Sequence, residues 1–189
     1  MALVHKSNFI AMKRLILLFA LFGLFGLFGC EQIDKLTQFS MDFNSSATIP
    51  STTGISLPFD VFTPDVQTNS ESTFAVNNTR KDMVEEVRLT SLNLTIESPT
   101  NGDFSFLESI EIYIAAEGYQ ETKIAWKENI AENVGNSLVL EVANSDLKDF
   151  IKQDKFTLKV KTITDEVIDQ DYELDIYSAF FIDAKVLGQ

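Results

Sequence analysis

From Phe39 to Val186, segment after segment places an apolar side chain on every second residue, and that period limits the chain to half-buried β-strands. Phe39, Met41 and Phe43 alternate with polar neighbours. So do Leu92, Leu94 and Ile96; Ile110, Ile112 and Ile114; Leu138, Leu140 and Val142; and Phe156, Leu158 and Val160. The last run is the longest, with Tyr172, Leu174, Ile176, Phe180, Ile182 and Val186 all in even phase. Strands this numerous, separated by turn signals such as Ser98-Pro-Thr-Asn-Gly102, predict an all-β chain folded as an antiparallel, immunoglobulin-like β-sandwich.

Between Asn44 and Ser72 the chain is rich in Ser and Thr and carries Pro50, Pro58 and Pro64. Proline confines strands to sheet edges, and Leu57, Phe59 and Val61 still alternate, so edge strands and loops are expected there. Two short helices should interrupt the strands. Thr79 to Val87 opens with Thr79 and Asp82 at capping-box spacing and groups Met83, Val84 and Val87 on one face. Ser145 to Ile151 places Leu147, Phe150 and Ile151 behind a serine cap. Both would plug an open end of the sandwich.

One segment breaks the β pattern. Lys13 and Arg14 lead into an apolar run from Leu15 to Phe28, which as a helix would reach about 21 Å. A bilayer core is roughly 30 Å thick, so the run is short for a span; a charged start, a short apolar middle and a small residue at the end describe a secretory signal peptide. An uncleaved anchor and a buried helix are the alternatives. The segment closes Leu27-Phe28-Gly29-Cys30, which resembles the lipobox of bacterial lipoproteins, with Phe28 where that motif usually has Ala, Ser, Thr or Val. The resemblance implies that Cys30 receives a diacylglyceryl group, that cleavage falls before it, and that the new amino terminus is acylated. It further implies, through Glu31 in place of Asp, transfer to the outer membrane of a diderm bacterium, with the periplasmic or surface face left open. The expected organisation is a signal-peptide helix within residues 1–29 (with Met12 a plausible start), the acylated cysteine and a short tether at 30–36, and a single β-sandwich domain at 37–189.

Removal of that leader decides much of the chemistry. His5 is the only histidine and Cys30 the only cysteine, so a processed chain has neither imidazole nor free thiol. Ser-His-Asp and Cys-His catalysis, zinc sites built on His or Cys, and c-type haem attachment are thereby excluded. Beyond Cys30 the 12 basic residues face 28 acidic ones, a net charge of −16 that repels phosphate backbones and makes nucleic acid a poor partner. No cofactor is expected besides the lipid on Cys30.

Two constellations remain. The acidic stretch Thr164 to Asp175 could hold calcium at the turn, around Asp165, Glu166 and Asp169, because hard cations take carboxylate oxygens. A simpler reading is a hairpin in which Lys161 faces Glu173 and Lys159 faces Asp175, while Val160 meets Leu174 and Leu158 meets Ile176. Among the aromatics, Tyr113 and Tyr177 lie opposite the apolar phase of their strands, and Tyr119 and Trp126 flank a turn near Gly118. Such rings beside carboxylates can stack on sugars or anchor a protein, or pack across strands on the second face of a sheet. In style the chain resembles the many uncharacterised β-sandwich lipoproteins of diderm bacteria. The function expected is a membrane-anchored, non-catalytic binding or scaffold module of the cell envelope, with a protein or glycan partner. The alternative is a carboxylate-dependent glycan hydrolase or a carbohydrate-binding lipoprotein.

Overall fold

The computed structural model describes residues 38–51 and 58–185. The chain divides into a unit Met1–Gln38 and a unit Phe39–Gln189, and apart from Gln38 the described residues all belong to the second. The expected signal segment, Cys30 and the tether lie outside the described residues.

The strands are β1 (Gln38–Ile49), β2 (Phe59–Phe62), β3 (Val66–Gln67), β4 (Val84–Ser98), β5 (Leu107–Ala115), β6 (Thr122–Glu128), β7 (Ser137–Val139), β8 (Glu141–Val142), β9 (Lys155–Thr164) and β10 (Tyr172–Ala184), with helices α1 (Ser70–Val76) and α2 (Lys148–Ile151). A smaller sheet runs β1-β10-β4-β7 and a larger one β2-β9-β5-β6-β8, with β3 also on β9. The pairs β1·β10, β2·β9, β4·β7 and β5·β6 nest one inside the next, and the paired strands for which a register is given are antiparallel. The result is the expected antiparallel sandwich, connected as a jelly roll and not in the immunoglobulin order.

Nesting places β9 and β10 in opposite sheets, and that removes the hairpin expected between them. β9 pairs with β2, β3 and β5, whereas β10 pairs with β1 and β4. Lys161 therefore faces Glu111 and Asp60, and Lys159 faces Tyr113 and Phe62; Glu173 and Asp175 sit opposite Ser98 and Thr95. Charge complementarity with the next segment was a local signal for a pairing that the fold makes at long range.

The alternating residues meet in one core. Phe43 of β1 and Phe180 of β10 pack edge-to-face on Phe156 of β9, with centroids 5.3 and 6.3 Å from the Phe156 ring, and Phe43 and Phe180 are 5.6 Å apart. Ile110, Ile112, Ile114, Leu158 and Val160 of the larger sheet and Leu92, Leu94, Ile176 and Ile182 of the smaller are fully buried.

The first expected helix is replaced. Residues 81–83 form a single 3-10 turn and Val84 to Val87 begin β4. Register shifts in the β4·β10 pairing, at Asp183/Ala184 and at Ala179/Phe180, let Val84, Val87, Leu89 and Leu92 all face inward. A three-residue spacing produced by a bulge thus imitates a helical face. Thr79 caps nothing; its hydroxyl donates to the Lys185 carbonyl at 2.6 Å. The true helix α1 lies earlier, in the Ser- and Thr-rich stretch, and buries Phe74.

The second helix forms as expected with Leu147, Phe150 and Ile151 buried, but Asp146, not Ser145, organises it. The Asp146 carboxylate accepts the Lys148 and Val87 amide protons, both at 3.1 Å, and pairs with the Lys148 ammonium at 2.7 Å, tying α2 to β4. Burial raises its pKa, but these hydrogen bonds and charges hold it below the ordinary range. A depressed folded pKa adds stability above the unfolded value, about 3.9 for Asp, that is lost as pH falls through the folded one. The urea midpoint should therefore hold from neutral pH to about 5 and fall below about 4, and Asp146→Asn should reduce that acid step. An unchanged pH profile in the variant would contradict this.

Candidate functional site

The outer face of the larger sheet is a ladder of charged and aromatic side chains. One row across the strands reads Phe62, Lys159, Tyr113 and Lys123; the next reads Asp60, Lys161, Glu111, Trp126 and Glu141. Opposite charges and rings are direct cross-strand neighbours, the geometry in which such pairs interact.

A bulge assembles the β6 part of this face. The register between β5 and β6 shifts between Ile112 and Tyr113, leaving Ile124 as the extra residue. Lys123 and Trp126 are an odd number of residues apart and would otherwise point to opposite faces. Because of the bulge both point outward, Ile124 and Ala125 are both buried, and the Lys123 ammonium lies 5.4 Å from the Trp126 ring.

The polar groups hold one another. Glu111 accepts from the Tyr113 hydroxyl at 2.9 Å and from Lys123 at 3.1 Å, with Lys161 at 3.5 Å. Burial raises the Glu111 pKa, but the hydrogen bonds from Lys123 and Tyr113 and the charges of Lys123 and Lys161 outweigh it and hold the carboxyl below the usual range. Burial, the bond to Glu111 and the surrounding carboxylates push the Tyr113 phenol up. Lys159 is only 8% exposed; its ammonium pairs with Glu121, approaches Asp60 at 4.0 Å and sits 4.6 Å from the Tyr113 ring centroid. Its long stem packs on the sheet while its charge meets two carboxylates and a π-face.

Beside this ladder is a hollow of about 290 Å³ lined by Glu108, Ser109, Glu111, Glu128, Asn129, Lys161 and Ile163. A register shift between Leu107 and Ser109 in the β5·β9 pairing leaves Glu108 as the extra residue at its rim.

The four aromatic candidates part company. Tyr113 and Trp126 come together on this face. Phe62, 60% exposed, joins their neighbourhood from β2; its signal in the sequence was an apolar residue out of phase with Phe59 and Val61. Tyr119 instead packs at 5.8 Å on Phe150 and accepts from Gln153 at 3.3 Å, fastening the β5–β6 turn to α2. Tyr177 lies on the outer face of the smaller sheet, where burial, the Asp42 charge and a hydrogen bond to Asp42 raise its pKa. Asp165, Glu166 and Asp169 lie in the β9–β10 connection. No group of three or more His, Cys, Asp or Glu side chains among the described residues converges closely enough to hold a metal ion. Leu27, Phe28, Gly29 and Cys30 lie outside the described residues.

Fold and face together define a jelly-roll sandwich with a charged-aromatic outer sheet. No protein-family model matches the chain, and no curated protein matches it. Among solved structures it is similar to FLHE, at 6% identity and a TM-score of 0.33 over 77% of this chain and 98% of that one. It is similar to a CBM32 module from Clostridium perfringens in complex with GalNAc-beta-1,3-galactose, at 9% identity and a TM-score of 0.33 over 76% and 97%. A third similarity is to Cocksfoot mottle virus, at 11% identity and a TM-score of 0.29 over 79% and 96%.

Proposed function

We propose that this chain is a non-catalytic binding module, held at the outer membrane of a diderm cell envelope through an acylated Cys30, and that the outer face of its larger sheet takes a glycan. One observation carries the reading: Phe62, Tyr113 and Trp126 are grouped around carboxylates and ammonium groups that already fix one another. A sugar presents apolar ring faces and a rim of hydroxyls, and such a surface offers aromatic area together with charged donors and acceptors. Because the side chains are held before any ligand arrives, little ordering entropy is lost on binding.

The direction of the Glu111 pKa is the wrong one for a general acid. A glycosidase needs a carboxyl kept protonated near neutral pH as its general acid, and Glu111 is held the opposite way. The full chain in detergent micelles, titrated with envelope-derived oligosaccharides, should bind without releasing new reducing ends. Trp126→Ala should weaken that binding by about tenfold or more. Accumulating reducing ends would make the protein a hydrolase. Unchanged affinity in the variant would move the binding surface elsewhere.

A further inference from the structure

A second hollow, about 710 Å³, lies elsewhere, between the open edge of β1 and the segment from Pro64 to Asn69. β1 ends the smaller sheet, and among the described residues no strand pairs with its outer edge. The Phe43 carbonyl points towards β10, where it accepts from the Ser178 hydroxyl at 3.4 Å. Backbone groups alternate sides along a strand, so those of Asp42, Asn44 and Ser46 point the other way, into the hollow.

Natural edge strands are blunted by lysine, proline, a bulge or brevity. β1 is 12 residues long, has neither Lys nor Pro, and its burial alternates without a break. Its one charge is Asp42, which is hydrogen-bonded to Tyr177 and has no ion pair among the described residues.

We propose that this edge receives an extended strand from a partner protein, one in which basic and apolar residues alternate. A strand added to β1 would extend the smaller sheet, its backbone bonding to Asp42, Asn44 and Ser46. Its inward side chains would meet the apolar floor of Met41, Phe43 and Val66, and its outward ones would lie beside Asp42. A second copy of this chain fits poorly, because it would bring another Asp42 and another net charge of −13 to the same edge. This inference is independent of the glycan reading, since it uses other strands and another sheet edge.

The test uses the full chain in detergent micelles and two fluorescein-labelled decapeptides, one alternating Lys and Val, the other Glu and Val. The basic peptide should bind and the acidic one should not. Asn44→Pro removes an N–H that faces the hollow, so it should leave thermal unfolding intact and weaken the basic peptide by about tenfold or more. Asp42→Lys should exchange the preference between the two peptides. Absence of binding, equal binding of both peptides, or parental affinity in both variants would overturn the proposal. So would a dimer in sedimentation that Asn44→Pro dissociates, because the edge would then belong to a second copy.

Discussion

Phe180→Ala is expected to lose about 3–5 kcal/mol of stability, which for a domain of typical stability, about 5–15 kcal/mol, is about a fifth of the total or more. Phe180 is fully buried and sits 5.6 Å from Phe43 and 6.3 Å from Phe156, so it is packed against strands of both sheets. Truncation would remove ring contacts on both sides and leave a cavity that neither sheet can close alone. With a urea slope of about 2 kcal/mol/M, the midpoint should fall by about 2 M. The neighbouring Phe181→Ala is the control. Phe181 faces outward opposite Arg88, whose guanidinium lies 5.0 Å from its ring, and its loss should cost about 1 kcal/mol or less. Equal losses at the two positions would mean that the inward phase of β10 is misassigned.

Cys30→Ser should transfer nearly all of the protein from the membrane pellet to the soluble fraction and abolish incorporation of labelled fatty acid. Each buried methylene of an acyl chain contributes about 0.8 kcal/mol, and one chain alone anchors only marginally while several on one cysteine anchor stably. The acidic domain adds no attraction to anionic head groups, so the loss of the lipid should be decisive. A variant that stays in the pellet through alkaline extraction would instead point to the stretch from Leu15 to Phe28 as an uncleaved anchor.

How much of this was legible in the chain depended on whether the signal was local. The alternation of Ile110, Ile112 and Ile114, or of Leu174 and Ile176, states which side chains are buried, and the core contains them. Partners are another matter. Lys159 and Lys161 are answered by Glu121, Asp60 and Glu111, none of them in the adjoining segment, and no short-range pattern distinguishes those carboxylates from Glu173 and Asp175. Bulges mislead in a second way. They turned Val84 and Val87 into a false helical face and hid the fact that Lys123 shares a face with Trp126. Tyr113 could be placed by phase alone, but its company on the sheet could not.

The nested pairing also sets the order in which the chain can fold. Among the described strands only β5·β6 is a hairpin of neighbours; each enclosing pair must close a longer loop, and β1, the first of them, is paired by β10, the last. Closing such loops costs entropy before any contact repays it, which places this topology among slow folders. Synthesis runs from the amino terminus, so β1 must wait, its hydrogen-bonding groups and apolar face uncovered, until β10 has been made. A ribosome-stalled or proteolytically shortened chain lacking β10 would therefore have no native partner for its first strand, however complete its remaining strands.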